Sequence, residues 1–175
     1  MRSLVKNPFL LTFLPLLIFL LSNTFASADL INRICELTND PSLCSNSFRS
    51  DPRSTNANLT ILGRISIKNA QKSAKVAKKL IHKASKSGNY TECLSIYDDA
   101  ISNLKKCKKA FKSHDYGQLS TLVSGAMTDA SMCDGSFGRG VQGPPQLKFA
   151  SIKLQVLCNI ILVISNVLSG ITTFK

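Results

Sequence analysis

From residue 89 onward, apolar and polar positions alternate with the period of a helix, not of a strand. Cys93, Tyr97, Ala100, Leu104, Cys107 and Phe111 recur in steps of four and three, which places them on one face of a helix over 89–112. The rhythm stops at Ser113-His114-Asp115-Tyr116-Gly117. It resumes at Leu119, Leu122, Ala126, Ala130 and Cys133, predicting a second helix over 115–134. Asn89 with Glu92, and Asp115 with Gln118, stand three apart like the two ends of a capping box. Folding the chain back at the break brings Cys93 and Cys133 together. A bond between them would close a loop of about forty residues and contribute about 4 kcal/mol in the chain-entropy model. In a reducing compartment the same positions would be buried thiols.

The same period reads elsewhere. Leu30, Ile31, Ile34 and Leu37, a turn at Asn39-Asp40-Pro41, then Leu43 and Phe48 predict a short helical hairpin over 29–50. Cys35 and Cys44 flank its turn, and closing that loop of about ten residues is worth roughly 2.5 kcal/mol to helices too short to persist alone. A zinc site would need further ligands, and no nearby histidine or cysteine supplies them. After a break at 51–54, a helix is expected over 58–87. Its seam is Ile67, Ala70, Ala74, Ala77, Ile81 and Ala84, small enough for close packing. The last helix, over 146–169, carries Leu147, Ala150, Leu154, Leu157, Ile161, Ile164 and Leu168. It is apolar enough to raise the question of a membrane span, but Gln155, Asn159, Asn166 and Ser169 recur at helical steps. A polar stripe belongs to a mostly buried helix, so no stable span is expected. The expected fold is all-α: an up-down four-helix bundle preceded by the short hairpin and stapled by disulfides.

The N-terminus settles the expected compartment. Arg2 and Lys6 precede an apolar run from Phe9 to Leu21, and Ala26-Ser27-Ala28 has the form of a signal peptidase site. Residues 1–28 therefore read as a signal peptide, leaving one domain over 29–175 that holds all the cysteines. Export also makes Asn58 and Asn89, each in an Asn-x-Thr sequon, glycosylation candidates. Asn58 is the better one if Asn89 caps a helix. Cys107 and Cys158 lie on apolar seams and either pair or stay free.

Charge and chemistry then narrow the function. The chain carries a net charge of +12, and Lys68, Lys72, Lys75, Lys79, Lys83 and Lys86 form a stripe beside the 58–87 seam. That stripe is either a solvated face or a docking surface for a polyanion such as de-esterified pectin. Nucleic acid is excluded by export and by the lack of aromatics among the lysines. Catalysis finds no support either. His82 and His114 are the only histidines, and Asp98-Asp99 are adjacent in a helix and share no face. No phosphate loop or nucleophile elbow is present, and no cofactor or metal is implied. An exported helical binding module is the reading that remains.

The ordered motifs resemble those of the plant pectin methylesterase and invertase inhibitors. They are Ile34-Cys35 through Pro41-Ser42-Leu43-Cys44, Ser50-Asp51-Pro52-Arg53-Ser54, Tyr90-Thr91-Glu92-Cys93 with Tyr97-Asp98-Asp99-Ala100-Ile101, Asp115-Tyr116, the Cys133 segment, and the run from Leu154 to Asn166. The resemblance implies bonds Cys35–Cys44 and Cys93–Cys133 and a secreted inhibitor of the apoplast or cell wall. Its implied partner is pectin methylesterase, whose pectin-binding cleft it would occlude one to one, with acid invertase as the alternative. Invertase inhibitors of the family carry Pro-Lys-Phe near the turn between bundle helices two and three, where this chain reads His114-Asp115-Tyr116-Gly117. Asp98, Asp99, Ser102, Asp129 and Asp134 are the implied partner contacts. Where many esterase inhibitors have Gly-Thr-Cys-Glu-Asp, this chain has Ser131-Met132-Cys133-Asp134-Gly135. A non-inhibitory pectate-binding protein and a surface-anchored protein are the remaining alternatives.

Overall fold

The computed structural model describes residues 28–85, 90–135 and 145–174. The segment expected to be a signal peptide lies outside these residues except for Ala28, as do Asn89 and Lys86. The described chain is helical, without strands: α1 (28–36), α2 (Pro41–Arg49), a 3₁₀ turn (Pro52–Ser54), α3 (Leu59–Ala84), α4 (Thr91–Lys112), α5 (Tyr116–Gly135) and α6 (Pro145–Leu168).

Local chemistry sets the helix ends. Asp40 caps α2 by accepting from the Leu43 amide at 2.9 Å, and Pro41 occupies the first helical position, where its missing N–H costs nothing. Asn58 caps α3 by accepting from the Ile61 amide at 3.0 Å. α4 starts at Thr91, with Tyr90 in the cap position. At its other end Ser113 is the cap and His114 adopts φ 58°, so the Asp115 amide can reach the Ala110 carbonyl at 3.0 Å. This left-handed closure normally falls to glycine. Asp115 then accepts from the Gln118 amide at 2.9 Å and starts α5, as the spacing of that pair predicts.

The four long helices form a closed ring in which each packs on its neighbours in sequence and α6 returns to α3. α3 and α4 run antiparallel: Gly63 lies under Phe111, Gln71 donates to the Leu104 carbonyl at 2.7 Å, and Lys78 pairs with Asp98. The alanine seam of α3 is buried at Ala70, Ala74 and Ala77, while Ala84 at its end is half-buried. On α5 the core-facing position is Val123, and Leu122 of the expected seam is half-buried. α6 is long and apolar enough to cross a membrane, yet 61% of that stretch is buried inside the protein. Its polar stripe is used: Asn159 accepts from the Asn39 amide at 3.1 Å, fixing the turn of the α1–α2 hairpin on α6.

Both disulfides join elements as expected. Cys35 and Cys44 close the hairpin with Cα atoms 5.5 Å apart, and Cys93 and Cys133 join the start of α4 to the end of α5 with Cα atoms 5.0 Å apart. Cys107 and Cys158 are unbonded and buried.

Candidate functional site

The Cys93–Cys133 bond and the tight turn at 113–115 fasten α4 and α5 at both ends, so their outward faces form one continuous surface. Charge along α4 is split. Glu92, Asp98 and Asp99 lie in its N-terminal half, and Lys105, Lys106, Lys108, Lys109 and Lys112 in its C-terminal half. That polarity complements the helix dipole, which favours acids near the N-terminus and bases near the C-terminus.

The five expected contact residues do not form one patch. Asp98 and Ser102 sit one turn apart on exposed α4 surface. Asp98 leans toward α3 and pairs with Lys78; Asp98 is exposed and Lys78 half-buried, so the pair is a weak one that a partner could displace. Asp99 is exposed on the opposite flank of α4, where its field reaches Asp129 of α5. Asp129 is half-buried, and its Oδ2 has no hydrogen-bond partner among the described residues. Burial lifts its carboxyl above the usual range and the charge of Asp99 adds to the rise, while a hydrogen bond from Asn103 opposes both. Asp134 turns inward. Its Oδ2 accepts from Ser151 Oγ at 2.7 Å and Gln155 Nε2 at 3.2 Å, tying α5 to α6, and burial raises its carboxyl too.

The outward face therefore offers Asp99 and Ser102, and Asp98 once its pair with Lys78 is displaced, with Asp129 at its floor. Asn103 was absent from the expected set. It follows Asp99 by four residues, a spacing that in a helix puts the two on one flank. Met132 is 54% exposed beside Cys133, where the related motif has threonine, so an apolar side chain stands at that point of the surface.

The remaining sequence candidates find definite places. Asn58 is exposed, and its side-chain oxygen is the cap of α3, so the capping argument for preferring it over Asn89 as a glycan site falls away. Lys68, Lys72, Lys75, Lys79 and Lys83 are exposed along α3. Burial pushes the Cys107 thiol up to about 12 and raises that of Cys158 further, so neither is a nucleophile in the folded protein. Among the described residues no group of three metal-ligating side chains converges.

Comparison with known proteins agrees with this fold. The family model described as plant invertase/pectin methylesterase inhibitor matches residues 29–164. A pectinesterase inhibitor of Actinidia deliciosa is 41% identical over 152 residues, covering 83% of this chain and 82% of that protein. Pectinesterase inhibitor 2 of Arabidopsis thaliana is 31% identical over 145 residues, covering 79% and 83% respectively. The crystal structure of a mutant form of an Arabidopsis pectin methylesterase inhibitor superposes with a TM-score of 0.69 at 27% identity, covering 76% of this chain and 93% of that one.

Proposed function

This chain belongs to the plant invertase/pectin methylesterase inhibitor family, and on that premise we propose that it is a secreted wall protein that blocks pectin methylesterase by covering the esterase's pectin-binding cleft one to one. The family and its relatives are enzyme inhibitors, not enzymes. The observation that carries the esterase reading over the invertase one is the 41% identity to an inhibitor of pectinesterase, maintained across most of both chains.

A steric inhibitor needs a rigid face and polar groups that match its target, not a reactive centre. The α4–α5 surface supplies both. One short turn and a disulfide hold the two helices, so little conformational entropy is lost on docking. Asp98, Asp99 and Ser102 would meet donors at the rim of the cleft. A cationic side chain inserted between Asp99 and Asp129 would relieve their mutual repulsion and supply the partner that Asp129 Oδ2 lacks. Asp134 acts from behind, by fixing the end of α5 to α6.

The test is a pair of titrations with the oxidised protein from Asp29 onward, one against a panel of plant pectin methylesterases and one against an acid invertase. Esterase activity should fall to zero near one equivalent, with invertase untouched. The reverse result would move the chain to the invertase branch of its family. If the protein inhibits esterase and Asp99→Ala with Ser102→Ala leaves that inhibition unchanged, the proposed face is wrong.

A further inference from the structure

The C-terminal half of α4 holds a second feature, beyond Asp98, Asp99 and Ser102, that esterase docking does not use. Between α3 and the C-terminal half of α4 runs a groove of about 620 Å³ lined by Arg53, Arg64, Lys68, Lys108 and Lys112 over a floor of Ile67 and Phe111. The antiparallel register that puts Gly63 under Phe111 and Gln71 against the Leu104 carbonyl sets Arg64 opposite Lys112 and Lys68 opposite Lys108. Two rungs of like charge thus face each other. Successive rungs are one helical turn apart, about 6 Å along the axis at 1.5 Å per residue. None of these four cations makes an ion pair among the described residues, and all are exposed. Asp51, the acid whose field reaches Lys68, is already held by the Arg53 guanidinium, which keeps its carboxyl down at about 2.

Like charges facing across a groove repel each other, and an anion lying between them removes the cost. The anion should be extended and carry charge at intervals along both edges, because the cations line two walls and not one pocket. Nucleic acid lacks a stacking platform here, since Phe111 is buried and packs edge-on against Tyr116. A membrane surface would need exposed apolar side chains among the cations, and both apolar members of the groove are buried.

We propose that the α3–α4 groove is a binding site for a polyuronate, with Arg64, Lys68, Lys108 and Lys112 holding successive carboxylates. The choice of polyuronate rests on the reading of the chain as a pectin methylesterase inhibitor, because de-esterification turns each neutral methyl ester of pectin into a carboxylate. An inhibitor held on the esterase's product would be concentrated where the enzyme has already worked. Asp99 and Asp129 lie on the α5 side of α4, and Asp98 meets α3 at Lys78, ten residues along from Lys68 or about 15 Å at 1.5 Å per residue, so one molecule could hold both partners.

The experiment measures binding of decagalacturonate by calorimetry, with the fully methyl-esterified decamer, polyglutamate, single-stranded DNA and phosphatidylserine vesicles as comparators. Wild-type protein should bind the free acid at least tenfold more tightly than any comparator. Its affinity should fall by about tenfold or more between 50 and 200 mM salt. The quadruple variant Arg64→Gln, Lys68→Gln, Lys108→Gln, Lys112→Gln should lose at least tenfold. A control of equal net charge, Lys75→Gln, Lys79→Gln, Lys83→Gln, Lys148→Gln, should lose less than threefold. Equal losses in the two variants would mean general charge attraction and overturn the site. So would equal binding of polyglutamate, DNA or vesicles, or no binding of decagalacturonate. Since the substitutions remove repulsion at exposed positions, folding is checked by melting, and the pair Lys68→Gln with Lys108→Gln serves if the quadruple variant fails. Esterase inhibition is measured on the same samples. Loss of decagalacturonate binding with inhibition intact would locate the groove apart from the inhibitory face, whereas a wild-type protein that binds the decamer without inhibiting would defeat the esterase reading alone.

Discussion

α4 has like charges on both of its borders, and the two borders handle them in opposite ways. Toward α3, Arg64 and Lys68 face Lys112 and Lys108 in open solvent. Toward α5, Asp99 faces Asp129, whose carboxylate is half-buried. Water and salt screen the first set over a Debye length of roughly 8–10 Å, so those cations coexist and remain available to a ligand. The second set is screened less, and burial first, with the Asp99 charge second, raises the Asp129 carboxyl. The borders also differ in how they are held. A disulfide fastens the acidic border, whereas the basic one relies on packing, above all the Phe111 ring against Gly63.

The largest effect is expected from removing the covalent tie. Replacing Cys93 and Cys133 together by serine should cost about 4 kcal/mol in urea unfolding. A loss below about 1 kcal/mol would show that α4–α5 packing alone is sufficient. Next comes the packed border. A Cβ on residue 63 would lie 2.4 Å from the Phe111 ring, so Gly63→Ala should destabilise by about 1–3 kcal/mol. The penalty should shrink when Phe111→Leu is added, and a penalty unchanged in that background would place its cause elsewhere.

Smaller still is the turn where both borders end. His114 sits at φ 58°, and glycine there should gain about 1 kcal/mol, partly offset by the lost stacking on Tyr116. A melting temperature that falls would mean the ring contact outweighs the backbone strain. The smallest effect separates the borders by pH. Because folding raises the Asp129 carboxyl, its protonated form favours the fold, and stability is lost as pH rises from the ordinary carboxylate value through the raised one. Asp129→Asn should therefore stabilise by less than about 1 kcal/mol at neutral pH and by nothing in acid. A gain that grows on acidification would reverse the sign of this argument.

Much of this architecture is readable in residue order, for a physical reason. Helical period, the Asp115 cap and the meeting of Cys93 with Cys133 depend on neighbours a few residues apart or on simple hairpin symmetry. The placement of side chains around each helix does not. Asp98 and Asp99 are adjacent in sequence, yet one leans to Lys78 of α3 and the other to Asp129 of α5. Asp134 looks like a surface acid until the rotation of α6 brings Ser151 and Gln155 to it. The facing cations are forty and forty-eight residues apart, and their pairing depends on helix register, which the lysine stripe of α3 alone cannot supply. The Asn58 cap was hidden for a local reason. No glutamate follows three residues later to complete a box, although a lone asparagine suffices to cap a helix.

Two sulfhydryls enclosed in an otherwise oxidised protein also give it an internal clock. Cys107 and Cys158 are covered by the bundle, so a thiol reagent reaches them only in molecules that have opened. When opening and closing are fast, the labelling rate tracks the open fraction, and a stability change of about 1.4 kcal/mol becomes a tenfold change in rate. Every substitution above can then be ranked without denaturant. The same openings would let an exposed thiol attack a disulfide by exchange. Tight closure of the bundle thus guards the cysteine pairing that in turn helps keep it closed.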